Sequence, residues 1–310
     1  MHDGDHRPAP ESRPTTGRTG EICNSVASAR RTTPVEIRHR VGIWAILNVT
    51  PDSFSDGGLY LNPGAAIARA KVMLAEGADV IDVGGASSRP KGQTYGAGAE
   101  DVSVETEIAR VVPVVEAVAR ELGAKVSIDT TRGAVAEAAL RAGASIVNDV
   151  SMGHDPALIA AVAARRAELV LMHTRGQGEV TPENTAYDDV VRDVFVALEH
   201  ACERARGAGV EHLWIDPGLG FAKTADQSAT LLAHTRDFLG LGAKVLIGAS
   251  RKSFLGRLVP NDEGPSSRLP ASLVAAVEAA RGGAHAVRVH DVAATRQALS
   301  VFAALEARHA

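Results

Sequence analysis

Eight short runs rich in Val and Ile recur along the chain, each separated from the next by a longer stretch rich in Ala, Leu, Arg and Glu. The runs are VGIWAIL (41–47), ADVIDVGG (78–85), AKVSID (124–129), ASIVNDV (144–150), AELVLMH (167–173), HLWIDPG (212–218), AKVLIGAS (243–250) and HAVRVHD (285–291). Apolar runs without clean alternation suit strands covered on both faces, and such strands form parallel sheets. The intervening stretches read as helices. Val190, Val191, Val194, Phe195 and Leu198 recur at helical spacing, as do Leu231, Leu232, Phe238 and Leu239. Breaks such as EGADV, RAGAS and RGGAH put a glycine just past a helix end, where left-handed backbone is favoured. Eight βα units in about 265 residues match the count and length of a single α/β domain of the (β/α)8 TIM-barrel type. A doubly wound open sheet is the alternative. The number eight and the lack of a G-x-G-x-x-G after the first strand favour closure.

The first 38 residues differ in kind, being polar and rich in Pro, Arg, Ser and Thr. They contain no apolar segment of the secretory type and cannot bury enough surface to offset their ordering entropy. They are predicted to be a disordered extension (1–38) ahead of the barrel (39–310). With 45% hydrophobic residues in 310 and a net charge of −4, the chain has ample core and no basic excess, which argues against a nucleic-acid partner. The apolar runs are too short to span a bilayer. Two distant cysteines, Cys23 and Cys202, argue against a disulfide framework and suit a reducing cytoplasm.

Every apolar run stops at polar chemistry. The stops are Asn48; Gly84-Gly85 followed by Ser87-Ser88-Arg89-Pro90; Asp129; Asn148-Asp149; His173; Asp216-Pro217-Gly218; Ser250-Arg251-Lys252-Ser253; and Arg288 with His290. In a parallel barrel these ends converge on one face. Long linkers at 49–62, 86–104, 174–186 and 250–268 follow strand ends on that same face. Taken singly, each has an ordinary reading. An Asp or Asn at a strand end caps the next helix, as Asp149 is expected to do in part. His173 is a core histidine, and Lys252 solvates a helix. Caps do not explain a Lys-Arg pair together with acids on separate strands. Asp129 and Asp216 accept hydrogen bonds and Asn148 both donates and accepts, which suits a guanidine-like ring edge. Lys252 can donate to a ring carbonyl. Arg288, His290 and Asn48 suit a phosphate with Mg²⁺, and Arg89 adds a further cation. These residues describe a site for a flat, amidine-bearing ring with an anionic group.

NVTPDSFSDGG (48–58), GGASSRP (84–90), SIDTTR (127–132), IVNDV (146–150), LMHTRG (171–176), DPGLGFAKT (216–224), ASRKSFLG (249–256) and VRVHDV (287–292) resemble, in order, the motifs of the dihydropteroate synthase family. The resemblance implies a transferase of folate biosynthesis, a target of sulfonamides, that joins 4-aminobenzoate to 6-hydroxymethyl-7,8-dihydropterin diphosphate with Mg²⁺. By that resemblance Asp129, Asn148, Met172, Asp216, Phe221 and Lys252 match the pterin site. Asn48, Arg89, Arg288 and His290 match the diphosphate site, with Asn48 as metal ligand. Phe54, Ser88, Arg89, Pro90 and Ser253 match the aminobenzoate site. Asp129, Lys252 and Arg288 are the residues expected to carry catalysis. It also implies a homodimer through the later helices, where the Ala-rich stretches 269–282 and 293–309 fall.

The chain departs from the family pattern at Ala86 and Ser88, where Glu and Thr are usual, and in the longer segment KGQTYGAGAED (91–101). These changes surround the expected aminobenzoate pocket. Two other pterin barrels share the Asp/Asn/Asp readers: a methyltetrahydrofolate–corrinoid methyltransferase and a non-catalytic pterin binder. The first has no need of the SRK and RVHDV groups, which this chain retains.

Overall fold

The computed structural model describes residue 1 and residues 40–50, 62–86, 102–176, 178–259 and 262–308. The expected extension 1–38 lies, Met1 aside, outside the described residues. Eight parallel strands close into a barrel in sequence order. They are β1 (Gly42–Asn48), β2 (Val80–Gly84), β3 (Val126–Asp129), β4 (Ile146–Asp149), β5 (Glu168–Met172), β6 (His212–Asp216), β7 (Lys244–Ile247) and β8 (Ala286–Val289). Each lies inside one of the eight apolar runs. Around them stand α1 (Pro63–Ala75), α2 (Val104–Glu116), α3 (Gly133–Ala142), α4 (Pro156–Arg165), α5 (Val190–Gly207), α6 (Ala225–Ala233), α7 (Ser253–Leu258), α8 (Leu269–Arg281) and α9 (Val292–Glu306).

The absence of clean alternation in the strands has a simple cause: both parities are buried, each in a different core. Ile43, Ala45, Leu47, Ile81, Val83, Ile128, Val147, Leu169, Ile215, Val245 and Val287 belong to one large core shared with the helices. Trp44, Val80, Ile146, Val170, Trp214, Leu246 and Ala286 form a second, separate cluster that fills the barrel. The register confirms the assignment, since Trp44 pairs with Val80, Val170 with Trp214 and Leu246 with Ala286. Within the barrel Trp44 and Trp214 meet edge to face at 5.0 Å between ring centroids. At its lower end Glu168 accepts from Trp214 Nε1 at 2.6 Å and Lys244 Nζ at 3.4 Å, and pairs with Lys125.

Helix starts follow their capping residues. Ser103, Asp155, Asp189 and Thr224 each accept a backbone N–H of the first turn, and Thr224 with Gln227 forms a full capping box. Gly77 and Gly143 adopt positive φ just past α1 and α3, as the breaks in the sequence anticipate.

Three expectations need correction. The stripe Leu231–Leu239 is not one helix. After α6 the chain tightens into a 3₁₀ segment, Thr235–Leu241, as Thr235 Oγ1 bonds the Leu232 carbonyl and Phe238 stays buried. The linker 250–268 carries α7, which buries Phe254 and Leu255. Asp149 caps no helix: it accepts from Ser151 N at 2.8 Å, Ser151 Oγ at 2.6 Å and Gly153 N, folding the β4–α4 turn, while Asp155 is the cap of α4.

The seam between α3 and α4 is closely packed at Gly133. Gly133 N donates to Asp155 Oδ2 at 2.7 Å, and a β-carbon at Gly133 would lie 2.7 Å from Leu158 N and 2.8 Å from Ala157 Cβ. Gly133→Ala is therefore expected to destabilise the fold by about 1–3 kcal/mol through overpacking. Urea denaturation measures it, and an unchanged midpoint would show that the two helices separate freely.

Candidate active site

One step above the apolar fill, the inward parity turns polar. Asp82 on β2, Ser127 and Asp129 on β3, Asn148 on β4, Met172 on β5, Asp216 on β6 and Arg288 on β8 continue the rows that begin with the barrel-filling residues. Period-two geometry alone aims them at the same interior. Asp82, Ser127, Asp129, Asn148, Met172 and Asp216 are all buried.

Arg288 binds this layer together. Its Nε donates to Asp82 Oδ2 at 2.6 Å and its Nη2 to Asp129 Oδ2 at 2.7 Å. Asn148 Nδ2 reaches the same Asp82 oxygen at 3.3 Å. Burial pushes the Asp129 carboxyl up to about 7. Arg288 pulls the other way, and the neighbouring Asp82 carboxylate adds to the rise. Burial opposes the charge on Arg288, but Asp82 and Asp129 outweigh it and raise its pKa further.

Across the barrel, Asp216 Oδ1 accepts from Gly218 N at 2.7 Å, and Lys252 Nζ donates to the Leu219 carbonyl at 2.7 Å. Burial raises Asp216 against the pull of Lys252. Burial lowers Lys252 to about 8 against the pull of Asp216. Lys252 Nζ also stands 4.9 Å from the centroid of the Phe221 ring. Gly248 lies between these groups. A β-carbon there would sit 3.5 Å from Asp216 Oδ2, 3.8 Å from Lys252 Nζ and 3.9 Å from Arg288 Cβ. Gly84 does the same on the other side, between Asn48 Oδ1 at 3.3 Å and Asp129 Cβ at 3.7 Å.

His290, at the end of β8, pairs its Nδ1 with Ser250 Oγ at 3.1 Å. Burial, aided by Arg251 and Arg288, lowers it to about 3, so it is neutral without an anion nearby. Ser253 is the first residue of α7, beside Lys252. Asn48, Asp129, Asn148, Met172, Asp216, Phe221, Lys252, Arg288 and His290 thus gather at one end of the barrel. Phe54, Ser88, Arg89 and Pro90 lie outside the described residues. Sequence reasoning grouped Arg288 with Asn48 and His290, whereas its guanidinium rests on Asp82 and Asp129.

Reading strand ends also missed Asp82. It sits mid-strand in VIDVG, two residues before Gly84, and its parity with Gly84 was the signal available. Two more buried charged groups went unread. Glu107 on α2 accepts from Thr130 Oγ1 at 2.8 Å and pairs with Arg132 at 3.2 Å. Lys223 donates to His173 Nδ1 and to the Phe221 carbonyl, each at 2.9 Å. The arginines on this side also secure backbone. Arg110 Nη1 donates to the Gly85 carbonyl at 3.0 Å, and Arg132 Nη1 donates to the Val102 carbonyl. Among the described residues no three His, Cys, Asp or Glu side chains cluster as a metal site, and no helix is long and apolar enough to cross a membrane.

Residues 44–290 match the family of pterin binding enzymes. The chain is 42% identical over 269 residues to a dihydropteroate synthase of Synechocystis, covering 86% of this chain and 90% of that one. It is 46% identical over 272 residues to the Mycobacterium leprae dihydropteroate synthase, covering 85% and 93%. Among solved structures, the Yersinia pestis dihydropteroate synthase in a sulfonamide complex superposes with a TM-score of 0.81 at 38% identity, covering 89% of this chain and 98% of that one. The Xanthomonas albilineans enzyme with 7,8-dihydropteroate superposes with a TM-score of 0.75 at 39% identity, covering 87% and 95%. The chain belongs to the pterin binding enzymes and, within them, to the dihydropteroate synthases.

Proposed function

We propose that this chain joins 4-aminobenzoate to 6-hydroxymethyl-7,8-dihydropterin diphosphate, yielding 7,8-dihydropteroate and pyrophosphate for folate synthesis. The observation that carries the reading is the convergence of Asp129, Asn148, Asp216, Lys252 and Arg288 above the apolar fill of one barrel. Asp216 and Asn148 suit the donor and acceptor edge of the pterin, and Lys252 suits its carbonyl. Met172 and Phe221 supply apolar contact to its faces.

The bond to be broken joins a methylene carbon to a diphosphate oxygen. Its electron pair leaves with the diphosphate, and the ring nitrogens delocalise the positive charge left on the carbon. The aminobenzoate nitrogen then attacks and releases a proton. No protein nucleophile is required. Negative charge at Asp129 under the ring favours the cationic carbon, and positive charge at Arg288 and His290 favours the departing anion. An arriving diphosphate would restore the proton that burial takes from His290.

We also propose Mg²⁺ as the cofactor, with Asn48 as its protein ligand. Mg²⁺ keeps most of its waters and takes one or two protein oxygens beside substrate phosphates, so a lone amide oxygen next to Gly84 suits it. When bound it would offset charge on the diphosphate. Phe54, Ser88, Arg89, Pro90 and Ser253 are assigned to the aminobenzoate, with Arg89 also facing the diphosphate. The enzyme is assigned to the cytoplasm, in keeping with the buried, unpaired Cys202. A homodimer through α8 and α9 is supported by exposed Val274 (71%), Val301 and Leu305. Sedimentation should then give a dimer mass that Val274→Lys with Val301→Lys converts to a monomer; a monomeric parent would end that assignment.

The decisive assay is pyrophosphate release, dependent on both 4-aminobenzoate and Mg²⁺ and inhibited by a sulfonamide. Release that ignores aminobenzoate would refute the reading. Asp129→Asn should fold normally and lose turnover by about 100-fold or more, the scale of a removed electrostatic stabiliser. Turnover like that of the parent would remove Asp129 from the mechanism. The pH profile has a defined sign. Below about 7 Asp129 is protonated and loses its negative charge, and above about 8 Lys252 loses its positive charge. The kcat/KM for the pterin substrate should therefore rise through about 7 and fall above about 8. Lys252→Arg, always charged, should lose the alkaline limb, and its persistence there would assign that limb elsewhere.

A further inference from the structure

The β6–α6 loop, Pro217–Thr224, is held in an uncommon backbone form. Gly218 and Gly220 have φ of +73° and +80°, and Ala222, which has a side chain, has φ of +49°. Left-handed backbone at a non-glycine residue persists only where the surroundings over-determine it. The requirement at Gly218 is severe, because a β-carbon there would lie 1.9 Å from the His173 carbonyl oxygen. The loop is nevertheless buried at Leu219, Ala222 and Lys223.

Lys223 is the group at its centre. Its Nζ donates to the Phe221 carbonyl within the loop and, across to the end of β5, to His173 Nδ1, each at 2.9 Å. The His173 carbonyl lies at the 3.5 Å limit as a third acceptor. His173 is fitted to accept: burial, then Lys223 and Arg175, lower it to about 2, so its ring stays neutral at any working pH. Burial also lowers Lys223 well below the usual lysine range, with Asp216 opposing. Burying an amine in this way costs stability, and its hydrogen bonds fix the geometry of the loop. The loop is further tied to its neighbour by Tyr187 Oη donating to the Ala222 carbonyl at 3.1 Å and Ala222 N donating to the Gly178 carbonyl at 2.9 Å.

The residues that Lys223 holds are those that face the ring site. Phe221 carries the aromatic ring beside Lys252, and the Leu219 carbonyl receives Lys252 Nζ. We infer that Lys223 is a positioning residue of the pterin site, locking the β6–α6 loop to His173 so that Phe221 and the Leu219 carbonyl set the ring contact and the direction of Lys252. This rests on Phe221 and Lys252 being pterin contacts.

The test is calorimetric titration with 7,8-dihydropteroate, paired with steady-state kinetics. Lys223→Met keeps the stem and removes the donors. It should weaken dihydropteroate binding and raise the KM for the pterin substrate about tenfold, the scale of one charge-assisted hydrogen bond. The KM for 4-aminobenzoate should stay within about twofold at saturating pterin, and kcat should change less than the pterin KM. Because Lys223 acts through Phe221, the double variant Phe221→Ala with Lys223→Met should lose clearly less than the product of the two single losses. A drop in Tm with unchanged dihydropteroate affinity, or fully multiplicative losses, would overturn the inference. Should Lys223→Met not fold, His173→Phe removes the acceptor and keeps the ring. It should raise the pterin KM with the same selectivity, and unaltered affinity there would also overturn the inference. Phe221→Ala and Lys252→Ala serve as the reference. If both bind dihydropteroate as the parent does, the assignment of the site itself has failed. If both weaken it and Lys223→Met does not, only the role of Lys223 has failed.

Discussion

The two-residue repeat of the strand, applied eight times around a closed barrel, is the constraint on which everything else rests. One parity is spent against helices, in the core that holds Ile43, Ile81, Ile128 and Leu169. The other parity faces inward, where Trp44, Trp214 and their neighbours pack into a separate apolar cluster. The polar layer occupies the next step of that inward parity. Its members could not move by one residue without turning into the helix-facing core. Register therefore fixes the site, and the helices contribute by enforcing register.

In that layer the balance of energies favours poise over stability. Buried ions gain from their hydrogen bonds and lose by leaving water, so the contacts of Arg288 with Asp82 and Asp129 are a weak source of folding stability. What remains is a fixed arrangement: the Arg288 guanidinium reaching from β8 to Asp82 and Asp129, with Asp216 and Lys252 near the root of the arginine. Titrations near neutrality follow from this crowding, since neither Asp129 nor Lys252 has enough opposite charge to escape the effect of burial.

Much of this was legible in the sequence. The eight runs gave eight strands because buried parallel strands are marked by composition and need no alternation. The polar cluster at the strand ends was legible because a closed barrel converts a one-dimensional rule, polar residue after apolar run, into a three-dimensional gathering. The misses have physical causes. Asp82 was hidden because an acid inside an apolar run offends the pattern that identifies the run. Lys223 and Glu107 were hidden because their partners, His173 and Thr130, lie 50 and 23 residues away in the chain. The helix expected through Leu239 stops because His234 leaves helical backbone and the chain tightens into a 3₁₀ segment, where Thr235 Oγ1 bonds the Leu232 carbonyl. The pairing of Arg288 with Asp82 and Asp129 was likewise invisible in sequence, since they lie 206 and 159 residues away.

Arg110 and Arg132 hold the backbone at Gly85 and at Val102, on either side of residues 86–101. Both holds come from side chains rooted outside that interval, in α2 and just after β3. The departures at Ala86, Ser88 and 91–101 fall in that interval. Sequence differences within that interval are thus bounded at each end by anchored backbone, apart from the wall that carries Asp216 and Lys252.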